Sequence, residues 1–132
     1  MSLRIERFDH IVLNCRDVEA TASWYERVLG MQREVFGQGR TALKFGNQKI
    51  NLRPADFDPG EWATGVNDRP GSGDICFITR AEPDEVVAHF RKEGIEIVDG
   101  PATRQGALGP MTSVYCRDPD GNLIEVASYP AK

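Results

Sequence analysis

The sequence predicts an α+β fold of two tandem βαβββ modules, and three observations carry that prediction. Strand-like and helix-like periodicities recur in the same order in both halves of the 132 residues. Each half places its one helical segment directly after its first strand-like run. A stretch rich in Gly, Pro and Asp, 54–73, separates the halves. The modules are placed at 5–54 and 73–129, joined by a linker at 55–72, and are read together as one domain over 1–132.

The first strand is the alternating run from Phe8 to Asn14. Asp17 then has the short polar side chain of an N-cap, and Glu19 puts a negative charge in the positive first turn. Val18, Ala22, Tyr25, Val28 and Leu29 follow at helical spacing, and Gly30 closes the helix where φ turns positive. Three further strands are expected at Met31–Phe36, Thr41–Phe45 and Lys49–Arg53, punctuated by turns at Gly37–Gly39 and Gly46–Asn47. In the second half a strand is expected at Asp74–Thr79. Pro83 opens a helix whose apolar stripe is Val86, Val87 and Phe90, and Gly94 ends it. Strands are then expected at Ile95–Val98, Ser113–Arg117 and Asn122–Ala127, leaving 100–110 as a mobile loop. Asp118-Pro-Asp-Gly121 is a turn signal, because Pro fixes φ and Gly accepts φ > 0.

Composition narrows the function. The net charge of −4 provides no basic footprint for nucleic acid, and no Lys/Arg cluster suits an anionic membrane. No apolar run approaches the roughly 20 residues of a membrane span, and the first ten residues lack the apolar core of a signal peptide. The three cysteines, Cys15, Cys76 and Cys116, are odd in number and without CxxC spacing, which points away from disulfides and toward a reducing cytoplasm. No nucleotide-binding or serine-hydrolase motif occurs, so no nucleotide cofactor is expected. A small-molecule substrate remains.

Strand parity points to the chemistry: any one of the following polar side chains alone would be read as simply facing water, but His, Asp and Glu recur at corresponding sites. Successive side chains point to opposite faces, so His10 opposes Ile11 and Leu13, and Asn51 lies between Ile50 and Leu52. Likewise Asp74 opposes Ile75, and Glu125 lies between Ile124 and Val126. The first and last strand of each half each turn one ligand-capable side chain away from the apolar face. If the two curved mixed sheets face each other, these four meet in a metal-binding cleft. One imidazole and two carboxylates with open positions suit Fe(II), Mn, Ni, Co or Zn. Asn51 either ligates or hydrogen-bonds a metal-bound water. Asp74 and Glu125 are also the candidate catalytic groups. Arg53 and Arg104 offer forks to a substrate carboxylate or phosphate, or are plain surface arginines; Arg40 and Arg117 share that choice. Tyr115 is a proton donor or a packed ring. Trp62, in the linker, belongs to a substrate lid or to a solvated connection. His89 reads as a helix-surface residue.

The residues Asp9–Leu13, Trp24–Met31, Lys49–Leu52 and above all Arg117–Glu125 are similar to the vicinal oxygen chelate superfamily. That superfamily holds glyoxalase I, bleomycin-resistance proteins and extradiol dioxygenases, and the resemblance runs from Phe8 to Ser128. Within it, 42–52, Asp74–Thr79 and Gly100-Pro101 look like the glyoxalase-domain proteins labelled as virulence or dioxygenase-related proteins. The resemblance places the metal ligands at His10, Asn51, Asp74 and Glu125, with Asp74 where a histidine is usual and Asn51 where Glu or Gln is. It implies a metal-dependent lyase or isomerase of glyoxalase type acting on a substrate chelated through adjacent oxygens. An Fe(II) extradiol dioxygenase and a non-catalytic binding protein are the alternatives. It also implies a homodimer, with the site inside one chain or across two.

Overall fold

The computed structural model describes residues 2–131, which form two compact units, one up to Arg69 and one from Pro70 onward. Each unit is a four-stranded mixed sheet with one helix on one face.

In the first unit β1 (His10–Cys15), helix α1 (Val18–Leu29), β2 (Gln32–Phe36), β3 (Arg40–Phe45) and β4 (Gln48–Pro54) follow one another. The sheet order is β1-β4-β3-β2, with β1 parallel to β4 and the other pairs antiparallel. Asp17 caps α1 by accepting a hydrogen bond from the Ala20 N–H at 3.1 Å, and Gly30 ends it at φ 67°. The helix buries Ala22, Tyr25 and Val28, on the side of the sheet that carries Leu43, Ile50 and Leu52. Each large apolar side chain buried there contributes roughly 1.5–3 kcal/mol by leaving water.

In the second unit β5 (Asp74–Ile78), helix α2 (Pro83–Lys92), β6 (Asp99–Gly106), β7 (Gly109–Arg117) and β8 (Leu123–Ser128) repeat the plan in the order β5-β8-β7-β6. Glu85 reaches back to the Glu82 N–H at 3.1 Å, Pro83 occupies the first turn, and Val86 and Phe90 are buried. The α+β class, the element order and the duplication match the expectation. Among the described residues no helix is long and apolar enough to cross a membrane.

One strand lies elsewhere than expected. Ile95–Val98 is not a strand: the Ile95 N–H caps α2 by donating to the Phe90 carbonyl at 2.8 Å. The segment read as a loop, 100–110, supplies β6 and the start of β7 instead. As an edge strand β6 tolerates Pro101 and polar residues, which a central strand would not. Gly100 sits at the register shift between Asp99 and Ala102 with φ 89°, and a Cβ there would lie 2.3 Å from the Ser113 carbonyl oxygen. Only glycine lets β6 approach β7 this closely.

Candidate functional site

The two expected halves of the site fall in different units. In the first unit the register pairs Val12 of β1 and Ala42 of β3 with Asn51 of β4, so the amide sits between two apolar side chains. Neither can hydrogen-bond. Asn51 is 6% exposed, and its buried Oδ1 has no hydrogen-bond partner among the described residues. A buried acceptor left in that state costs about 1–3 kcal/mol. His10 is on the same face two residues before Val12, opposite Lys49. Its Nδ1 lies 2.7 Å from Asp9 Oδ2, and this contact is the main reason the Asp9 carboxyl is held below the usual carboxylate range. With Nδ1 engaged, Nε2 is the ring nitrogen left for a ligand, the arrangement in which a carboxylate orients a metal-binding histidine.

Arg53 is not placed for a substrate. Arg53 is 1% exposed, and its guanidinium donors go to the Trp62 carbonyl at 3.1 Å, the Phe57 carbonyl at 2.9 Å and Asn14 Oδ1 at 2.8 Å. A buried cation needs such acceptors, and the linker supplies them with its own backbone. Arg53 is therefore the anchor of the linker. Trp62 is buried, with Phe57 edge-on at 5.7 Å and the Arg40 guanidinium 4.0 Å above its ring.

In the second unit the turn after β7 sets the register. Asp118 Oδ1 accepts from the Asp120 and Asn122 N–H groups at 3.0 and 2.9 Å, and its Oδ2 accepts from Asn122 Nδ2 at 2.7 Å. Asn122 Oδ1 in turn accepts from the Gly73 N–H at 2.7 Å, tying the turn to the residue before β5. Asp118–Asn122 thus fixes how β5 and β8 lie together. Cys76, Glu125 and Tyr115 then stand directly opposite one another across β5, β8 and β7, and Asp74 shares their face two residues before Cys76. Ser113, fully buried, donates its hydroxyl to Glu125 Oε2 at 2.5 Å. The Cys76 thiol is pushed up to about 11, chiefly by desolvation and further by the Glu125 charge. Desolvation, then hydrogen bonding to Glu125, raises the Tyr115 phenol. Arg104 sits over the Tyr115 ring at 5.6 Å and pairs with Asp99 at 3.1 Å.

The expected ligands therefore divide as His10 and Asn51 in one unit and Asp74 and Glu125 in the other. Among the described residues no group of three or more His, Cys, Asp or Glu forms a cluster that would hold a metal ion. The donor chemistry of each half nonetheless fits a divalent cation: a pre-oriented imidazole beside an unpartnered carbonyl oxygen in one, two carboxylates on one sheet face in the other. Sequence reading missed Ser113 and Cys76, although both share the parity of Glu125 once the register is known.

The profile of the Glyoxalase/Bleomycin resistance protein/Dioxygenase superfamily matches residues 7–126. The chain belongs to this superfamily. It is 44% identical to the glyoxalase domain-containing protein RDO1 of Mycosarcoma maydis over 129 residues, 96% of this chain and 70% of that one. It is 46% identical to virulence protein STM3117 of Salmonella typhimurium over 127 residues, 95% of this chain and 85% of the other. An integron cassette protein from the mobile metagenome of V. cholerae has the same fold, with a TM-score of 0.94 at 45% identity, covering 98% of this chain and all of its own. A more distant superfamily relative is the lactoylglutathione lyase of Pseudomonas aeruginosa, 28% identical over 149 aligned positions, 90% of this chain and 80% of the lyase.

Proposed function

We propose that this superfamily member is a divalent-metal-dependent enzyme of glyoxalase type, acting on a small substrate through two adjacent oxygens. The observation that carries the reading is the buried, unpartnered Oδ1 of Asn51 on the same sheet face as His10. Folding tolerates a 1–3 kcal/mol penalty of this kind where function uses the group, and an acceptor so placed awaits a cation or a donor. His10, Asn51, Asp74 and Glu125 are the ligand positions, and the reading requires two sheet faces, of one chain or of two, to present them to each other. When bound, Zn, Ni, Mn, Co or Fe(II) supplies Lewis acidity to the substrate oxygens.

The chain's own groups do the rest. Asp9 orients His10. Ser113 donates to one oxygen of Glu125, and Cys76 and Tyr115 also hydrogen-bond the carboxylate, which holds it in place to bind or to take a proton. Asp74, exposed on the same face, is the second carboxylate able to accept a proton. Arg104 and Tyr115 bind the substrate's polar end, their guanidinium and phenol lying beside Glu125. In this reading the two modules work as one domain in a cytoplasmic homodimer.

Turnover of the hemithioacetal of methylglyoxal, with each metal supplied in turn, tests the proposal. Activity that is lost in Glu125→Gln supports it; no turnover with any metal overturns the lyase assignment. Oxygen uptake with a catechol and Fe(II) in the same preparations would instead identify a dioxygenase.

A further inference from the structure

The first unit contains a cavity of about 450 Å3 that the metal positions do not use. Its apolar wall is Val18, the first residue of α1, with Leu52 of β4 and the linker rings of Phe57 and Trp62. Thr41 and Arg40 of β3 supply its polar side. Leu52 and Thr41 point to the helix side of the sheet, because they pair with each other and alternate with Asn51 and Ala42. By the same alternation Arg40 lies on the opposite face, so the cavity sits at the start of β3, and its lining includes none of His10, Asn51, Asp74 and Glu125. Its size falls within the roughly 300–1,000 Å3 of small-molecule pockets.

Two features indicate what fits it. First, the wall is held rigid from behind, since buried Arg53 binds the backbone carbonyls of both Phe57 and Trp62. A site preorganised in this way loses little entropy on binding. Second, Arg40 brings a positive charge to the cavity and has no ion-pair partner among the described residues. It stacks on Trp62 at 4.0 Å and donates one long bond, 3.4 Å, to the Glu61 carbonyl. Its planar fork remains available to a carboxylate, which it can bind bidentately. Glu61 also borders the cavity, and its negative charge nearby disfavours a second anionic group on the ligand.

We propose that this cavity is a binding site for a small monocarboxylate with an apolar body, such as a single aromatic ring, separate from the metal positions. The carboxylate pairs with Arg40 while the ring lies against Leu52, Val18 and the linker aromatics. Binding requires no metal, so it stands or falls independently of the proposed lyase activity.

The test uses the full chain, freed of metal by EDTA and labelled with 15N, titrated with benzoate, with neutral benzamide and with the dianion phthalate. Saturable shifts are expected at the Trp62 indole N–H and the Gly39 amide, but not at the Trp24 indole. Benzamide and phthalate should each bind at least about tenfold more weakly than benzoate, a difference of about 1.4 kcal/mol. Arg40→Gln should weaken benzoate to the level of benzamide, whereas Arg40→Lys, which keeps the charge but loses the planar fork and its stacking on Trp62, should recover only part of the affinity. No saturable shift by about 10 mM benzoate, near the weak limit for a specific site, would overturn the proposal. So would equal binding of benzamide, or shifts confined to Val12 and Asn51.

Discussion

Replacing Asn51 by Leu separates the cost of the candidate site from its use. The buried Oδ1 lacks a partner between Val12 and Ala42, and an unsatisfied buried acceptor costs about 1–3 kcal/mol. Leucine has a similar branched shape and no polar atom, so Asn51→Leu removes the penalty and should stabilise the metal-free protein by that amount. At about 2.1 cal/mol/K per residue, 132 residues unfold with an entropy near 0.28 kcal/mol/K, so Tm should rise by roughly 4–11 °C. Asn51→Ala removes the same acceptor but leaves a void, and should gain less. Differential scanning calorimetry in EDTA measures both. With a divalent metal near 100 times its Kd, the wild-type protein should gain about 2.7 kcal/mol by linkage, and Asn51→Leu should gain less. A fall in Tm for Asn51→Leu in EDTA would refute the reasoning, because it would mean the amide is already satisfied.

Arg53→Met should cost roughly 3 kcal/mol or more, since it strands the Phe57 and Trp62 carbonyls and Asn14; a lowered urea midpoint with red-shifted Trp62 emission would register it. Gly100→Ala should cost about 2 kcal/mol or more, because φ is 89° and the added Cβ would strike the Ser113 carbonyl, and an unchanged thermal midpoint would contradict that account. Burial pushes the Cys116 thiol up to about 12, with Asp118 adding to the effect, from an ordinary value near 9. The folded state therefore holds its proton longer than the unfolded state: this stability is complete below pH 9 and is lost as pH rises toward 12, by up to about 1.4 kcal/mol per pH unit. Urea midpoints from pH 8 to 10.5 should fall less steeply in Cys116→Ala than in the wild type. Native protein should offer one thiol, Cys76, to a disulfide reagent, and all three only in denaturant; rapid reaction of Cys15 or Cys116 would contradict their burial.

What the sequence made legible was local. Asp17, Gly30, Pro83 and the turn from Asp118 to Gly121 act through their own backbone neighbours, and the structure has each in the expected role. Parity alone placed His10 and Asn51 on one sheet face, and Asp74 and Glu125 on another. What was not legible depends on partners distant in the chain. Ile95–Val98 has the apolar composition of a strand, but the end of α2 takes its first N–H. The Gly- and Pro-containing β6 survives because β7 pairs only one of its edges. Arg53 looks like any surface arginine until its acceptors, which are main-chain carbonyls of the linker, are seen. The orphaned state of Asn51 likewise depends on which residues β1 and β3 set beside it.

A catalytic cation held by His10, Asn51, Asp74 and Glu125, as proposed, is tested most directly by metal content. Protein purified without chelator should carry about one equivalent of a transition metal by elemental analysis, falling at least about tenfold in His10→Ala and in Glu125→Ala while both variants stay folded. Wild-type protein with under about one-tenth equivalent, and no rise in Tm on adding Zn, Ni, Mn, Co or Fe(II), would contradict the account.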